Sequence, residues 1–384
     1  MIKRIVQNLT LLAVSVLLAL GVAEVVLRAF PDLLPEEAAL RIHWHEDQVR
    51  QRISAGDPYL GFTFPPFYHG QIAQGDLDFR YMTDEKGFRN PSPWPAKAEI
   101  LVVGDSWAFG YGVDDDETWV KLANERLPRS RMITLGLIGA APQQYVRIYE
   151  RFGIPLEPNL LIYGLFPGND IQDARLFDNW LAAGSPGNYD VWRFFRGDLP
   201  GLQDDLIRRS YLVASLRAVR NSLRSSFSGR TVDFPGGGRL RLVPSIYAAD
   251  ARSARPGNPD FERVLGSVER ARNLARERGT EFLVLLFPTK EEVYLPLLGQ
   301  PIPHVVTPFV AAFEQRGIPY LDLTPAFQQR ARSGDLLFFE IDGHANRRGY
   351  RVIADAVVDH LRENAGRYEL SDWDPTPAAP PVRP

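Results

Sequence analysis

The chain of 384 residues contains no cysteine. That absence excludes a disulfide framework, a thiol nucleophile and thiolate metal sites. It leaves the compartment open, because a domain this large can work outside the cytoplasm without disulfides. An excess of charge is lacking as well: 44 Lys and Arg stand against 47 Asp and Glu, for a formal net charge of −3. With no basic stripe and no RNA-binding signature, nucleic acid is not an expected partner. Internal repeats are missing too. None of His43, His45, His69, His304 and His360 shows ligand spacing together with carboxylates, and "VDDDET" (113–118) reads as a loop entering a helix N-terminus. Neither a metal nor another cofactor is expected.

What is present begins with one long apolar run. Lys3 and Arg4 precede "LTLLAVSVLLALGVA" (9–23), and "EVVLRAF" carries the apolar pattern on to Phe30. From Ile5 to Leu27 the segment approaches the roughly 20 residues a membrane span needs. A cleaved signal peptide could end at "GVA" (21–23), but the apolar pattern continues past it through Val25, Val26 and Leu27. We therefore expect a signal anchor or signal peptide over 1–30, the uncleaved anchor being the leading reading and a buried helix the remaining one. The two basic residues favour a cytoplasmic N-terminus and export of the rest. Glu24 and Arg28, four apart, are placed to pair.

The residues from 31 to 95 form an N-terminal extension rich in aromatics, Pro and Gly, which suggests short strands and turns. From 99 onward strand and helix patterns alternate. "EILVVG" (99–104), "MITLGL" (132–137), "NLLIYGLF" (159–166), "EFLVLLF" (281–287) and "YLDL" (320–323) read as strands. Helical patterns cover about 117–127, 142–153, 259–278, 304–316 and 347–364. This alternation predicts an α/β domain over 96–365 with a mostly parallel sheet between helices. Residues 171–258 interrupt it and are expected as an insertion over one end of the sheet. The tail, 366–384, is proline-rich and expected to be flexible. "PTKEEVYLP" (288–296) reads as a solvated helix face, although Lys290 and Tyr294 could reach the site.

In a parallel α/β sheet, functional residues gather beyond the C-terminal ends of the strands. Ser106 follows the first strand in "GDSWAFGYG", Gly139 follows the second in "GLIGAAPQQ", and Asn169 follows the third in "GND". Asp342 and His344 lie in "DGHANRRGY", before the last helix. A serine needs a neighbouring base to become a nucleophile, and a histidine oriented by an aspartate can supply one. The Ser106 and Gly139 N–H groups and the Asn169 amide could then serve as the donors an oxyanion requires. Trp107 and Tyr111 are weaker candidates for lining a substrate cleft.

These four blocks, in this order, resemble those of the SGNH hydrolases, also called the GDSL superfamily. The resemblance spans roughly 96–365 and implies a flavodoxin-like three-layer αβα sandwich. It also implies Ser106 as nucleophile, Gly139 and Asn169 as oxyanion donors, and His344 as base oriented by Asp342. "DPYLGFTF", "DEKGFRN" and "PTKEEVYLP" are similar to segments of membrane-anchored bacterial members. Two departures stand out. The first block reads GDSW rather than GDSL, and the last is Asp-x-His rather than the commoner Asp-x-x-His, a form similar to that of some exopolysaccharide-modifying members. The expectation is a single-pass protein of the bacterial inner membrane with a periplasmic or extracellular catalytic domain. It would act as a serine esterase on an acylated carbohydrate, with O-acetyl esters of an envelope or extracellular glycan the expected substrate. O-acetyl transfer to a polysaccharide, with a membrane-bound O-acyltransferase as a candidate partner, and non-catalytic glycan binding or assembly are the alternatives.

Overall fold

The computed structural model describes residues 2–35, 38, 53–127, 132–195, 210–224, 229–234 and 237–370. The chain divides into two compact units, Met1–Arg52 with Phe194–Arg230, and Ile53–Arg193 with Thr231–Pro384. This division departs from the boundaries expected above. Residues 53–95 join the α/β unit rather than standing apart.

In the first unit, helix Ile2–Ala29 exposes its apolar side chains along nearly its whole length. Its length and composition suffice to cross a membrane. Near its end, Glu24 pairs with Arg28 at 2.8 Å as the spacing suggested. The same carboxylate caps helix Tyr211–Arg224, accepting the N–H groups of Tyr211 (3.1 Å) and Leu212 (2.8 Å) and the Ser210 hydroxyl. Leu34, Ala38, Ala214 and Ala218 form a small core, with Leu27 and Tyr211 packed against it.

The elements of the α/β unit are numbered within it. A hairpin, β1 (His69–Gln74) and β2 (Leu77–Met82), turns through Gly75 and Asp76. Then come β3 (Ile100–Gly104), α1 (Ser106–Phe109), α2 (Trp119–Arg126), β4 (Met132–Gly136), α3 (Pro142–Ile148), β5 (Leu160–Leu165) and α4 (Asp170–Ala182). After the interruption follow α5 (Pro259–Glu277), β6 (Glu281–Leu286), α6 (Lys290–Tyr294), β7 (Tyr320–Asp322), α7 (Thr324–Arg332) and α8 (Arg347–Glu363). Strands β3 to β7 pair in the order β7-β6-β5-β3-β4, all parallel. Counted along the chain this is the 2-1-3-4-5 order of the flavodoxin-like α/β fold.

Strands β3, β4 and β5 are buried at every position, which explains their unbroken apolar runs. Helices α3, α4 and α5 pack together, as do α2, α7 and α8, so two helical layers flank the sheet. Helix α4, within the stretch expected as an insertion, packs against α5. The N-terminal extension protects the sheet's edge: Asn90 accepts the Thr134 N–H of β4 (2.9 Å) and donates to its carbonyl (2.8 Å). The expected flexible tail begins later than 366, since Tyr368 is buried and bonded to His360. The stretch 371–384, like His43 and His45, lies outside the described residues.

Candidate active site

The crevice beyond β3 and β5 is where the strand order reverses, and chain order therefore delivers Ser106 and Asn169 to it. Asp105 follows β3 and caps α1, its Oδ1 accepting the Trp107 N–H at 2.9 Å. Ser106 is the first residue of that short helix, where an N–H has no intrahelical acceptor. Gly136 allows the helix to lie directly on the end of β4, since a Cβ there would come within 2.3 Å of the Phe109 nitrogen. The chain leaving α1 is held by Arg89 of the "DEKGFRN" segment. Its buried guanidinium donates to the carbonyls of Gly110 (2.6 Å) and Val113 (2.7 Å) and to the Asp115 carboxylate (2.6 Å).

Ser106 Oγ and His344 Nε2 are 2.7 Å apart, and His344 Nδ1 is 2.7 Å from Asp342 Oδ1. The same Asp342 oxygen accepts the His344 backbone N–H at 2.8 Å. That is an Asx-turn, and it accounts for the short Asp-x-His spacing. An aspartate bonds the N–H two residues on, and here the imidazole of that residue folds back onto the same oxygen. The network assigns the proton to Nδ1 and leaves Nε2 as acceptor for the serine hydroxyl.

Electrostatics agree with this arrangement. Burial opposes the charged imidazole, but the Asp342 carboxylate, its hydrogen bond and Asp105 outweigh burial and raise the His344 pKa above 6.5. Burial likewise opposes the Asp342 anion. His344, its two hydrogen bonds and Lys290 prevail and hold the carboxyl below its ordinary value.

Asn169 Nδ2 donates to Asp105 Oδ2 at 3.1 Å, which orients the amide beside the serine. Gly139 adopts φ +73°, a conformation suited to glycine, and its carbonyl accepts from Arg193 Nη1 at 2.5 Å. The Arg193 guanidinium lies over Gly139, where a Cβ would sit 2.0 Å from its Nη2. The bond from the Leu137 N–H to the Gly104 carbonyl (3.1 Å) brings the segment before Gly139 alongside the end of β3. Trp107 and Tyr111 are placed differently from a cleft lining. Trp107 is 0% and Tyr111 5% exposed, and their rings pack 5.7 and 4.7 Å from the imidazole. They form walls around His344.

The expectation for "PTKEEVYLP" is corrected outright. Lys290, Glu291, Glu292 and Tyr294 are 1–2% exposed, so this short helix is interior. Thr289 and Glu292 form a capping box, a pattern legible in the sequence, and the Glu292 carboxylate goes on to take the N–H groups of Val305 and Val306. Sequence reasoning missed Asp76, Asp105 and Arg193 altogether. Only for Asp105 was a signal available, since a helix cap is a standard position for aspartate.

Residues 247–374 match the family described as the SGNH hydrolase-like domain of acetyltransferase AlgX. The matched stretch takes in Asp342 and His344 and leaves Ser106, Gly139 and Asn169 outside it. No curated protein matches the chain. Among solved structures, a lipolytic protein of the G-D-S-L family from Desulfitobacterium hafniense is 10% identical, covering 69% of this chain and 99% of its own, at a TM-score of 0.38. A member of the same family from Veillonella parvula is 14% identical, covering 68% and 97%, at 0.37. The esterase EstA from Pseudoalteromonas sp. is 12% identical, covering 70% and 98%, at 0.36.

Proposed function

We propose that this chain, a member of the SGNH hydrolase superfamily with ester hydrolase or O-acyltransferase activity, works as a serine esterase on O-acetyl esters of an extracytoplasmic glycan. The observation that carries the mechanism is the hydrogen-bonded series Ser106–His344–Asp342, with both contacts at 2.7 Å. Ser106 Oγ attacks the acyl carbonyl while its proton passes to His344 Nε2. Asp342 stabilises the imidazolium that results. The carbonyl oxygen becomes an oxyanion, received by the Ser106 and Gly139 N–H groups and by the Asn169 amide. Collapse breaks the ester C–O bond, and the departing sugar oxygen takes the proton from His344. Water, deprotonated by His344, then releases the acid from the serine.

A second reading is O-acetyl transfer, in which a sugar hydroxyl replaces that water. It is favoured by the family match, whose description names an acetyltransferase. A membrane-bound O-acyltransferase would be the fitting donor partner. Binding without catalysis is the weaker reading, because recognition alone requires no serine bonded to a base and its acid.

The test is the full-length protein in detergent, assayed on p-nitrophenyl acetate and on an acetylated glycan with and without a deacetylated acceptor. Free acetate supports the esterase; acetate retained on the acceptor supports the transferase. Ser106→Ala should abolish both, and wild-type turnover in that variant would refute the mechanism. The apolar helix Ile2–Ala29, with Lys3 and Arg4 in its first turn, supports a single-pass anchor in the inner membrane with the α/β unit exported. A reporter fused to the C-terminus should work only if it functions outside the cytoplasm.

A further inference from the structure

The loop 339–344 has neither helix nor strand of its own to hold it. It is closed at its base by the bridge between Phe338 and Ala345 and by a bond from the Phe339 N–H to the His344 carbonyl, 3.2 Å. The Glu340 carbonyl accepts the Arg241 N–H at 2.7 Å, and further backbone groups of the loop are met by two side chains remote in sequence. Lys290 Nζ lies 3.1 Å from the carbonyls of Phe339 and Glu340, 3.2 Å from that of Ile341 and 3.0 Å from that of Asp342. The Asp76 carboxylate, at the tip of the β1–β2 hairpin, accepts the N–H groups of Ile341 (2.6 Å) and Asp342 (3.2 Å).

Four successive carbonyls converge on one point here, where the chain curls around this ammonium. Curling in this way sends peptide N–H groups outward, and there an anion meets them. Lys290 is 2% exposed, so its ammonium is committed to this loop and does not face solvent. Among the described residues, neither side chain is hydrogen-bonded to Ser106 or to the His344 ring. Both act on the backbone that carries Asp342.

We propose that Asp76 and Lys290 are positioning residues, a clamp of opposite charges that holds the Asp-Gly-His turn in the conformation that aims His344 at Ser106. The clamp rests on the reading of Ser106, His344 and Asp342 as nucleophile, base and orienting acid. It gives the N-terminal hairpin a part in the site and supplies from outside the rigidity that a short turn lacks.

The experiment compares full-length Lys290→Met, Asp76→Ala and Ser106→Ala with wild type on p-nitrophenyl acetate across pH, alongside denaturant unfolding of each. Displacing a general base by about an ångström costs on the order of 10²-fold. Lys290→Met and Asp76→Ala should each therefore lower kcat by about 10- to 100-fold, with KM within about twofold. A second readout separates positioning from mere stability. Asp342 and Asp105 favour the imidazole's cation, whereas Lys290 disfavours it. The acid limb of the kcat/KM profile should therefore move to higher pH in Lys290→Met and stay in place in Asp76→Ala. Partial rescue of Lys290→Ala by propylammonium would support the ammonium's role.

Wild-type kcat in both clamp variants beside an inactive Ser106→Ala overturns the clamp and leaves the triad standing. Losses that match only the fraction unfolded overturn it as well. An active Ser106→Ala overturns the triad itself and the clamp with it.

Discussion

Ser106 stands two residues beyond a strand buried along its whole length, whereas His344 stands in a loop between Phe338 and Ala345 that belongs to no sheet layer. On the serine side, support comes mostly from neighbours in sequence: Asp105 caps the helix that Ser106 begins, and Gly110 ends it at φ 84°. On the histidine side, the local Asx-turn is supplemented by Asp76 and Lys290, which lie far off in the chain. The difference teaches that one side chain can be placed by strand and helix geometry, while another on a short turn is held through contacts with distant charges as well. Damage to the two sides should therefore read out differently.

The largest effect is expected at the point where both sides meet. Ser106→Ala removes the attacking oxygen at a site that is small and polar, so activity should vanish while the unfolding midpoint stays near wild type. Next comes Asp342→Asn, which keeps the shape of the turn but loses the anion facing the imidazole. Turnover should fall at least roughly 10²-fold, within the usual contribution of a general base. The pH profile sharpens the result. His344 must be neutral to accept the serine proton, so wild-type activity should rise with pH through a value above 6.5. Without the carboxylate that favours its cation, the acid limb should move to lower pH, opposite to the shift expected of Lys290→Met. Near wild-type turnover in Asp342→Asn would mean that a different group orients His344.

Smaller effects should separate the two supports by stability. Arg89→Ala strips buried hydrogen bonds from the chain that follows α1, including those to the carbonyls of Gly110 and Val113. Leaving buried carbonyls unmet costs about 3 kcal/mol of unfolding free energy, measured in denaturant. Asn346→Ala should cost less, about 1–2 kcal/mol. Asn346 caps α8 through the Arg348 and Gly349 N–H groups and also donates to the carbonyls of Leu336 and Phe338. Because those carbonyls flank the histidine loop, Asn346→Ala should lower kcat as well as stability. Equal kcat losses in Arg89→Ala and Asn346→Ala, scaled to stability, would erase the distinction between the sides.

Much of this could be read from the residues alone. Runs of apolar residues ending in glycine, such as "ILVVG", identify strands buried on both faces, because no polar face is needed there. Block order then places Ser106, Gly139 and Asn169 at one rim. The Lys290 segment was misread because its Lys-Glu-Glu run is highly polar. Such charges become interior only when specific carbonyls and N–H groups receive them, and composition does not reveal those partners. Asp76 was invisible for the same reason, since in sequence it is an ordinary residue of a Gly-Asp hairpin turn.

By itself the sequence determined the alternation of strand and helix, the apolar N-terminal helix and the chemistry gathered at the strand ends. These follow from periodicity, length and residue type, all of which act over a few neighbouring positions. Only the tertiary structure decided that Asp105 orients Asn169, that Arg193 fills the space above Gly139, and that a hairpin tip and a buried lysine grip the histidine loop. Each of those contacts joins groups dozens to hundreds of residues apart. A hydrogen bond carries no trace in the local pattern of either partner, and folding alone brings the two within its reach.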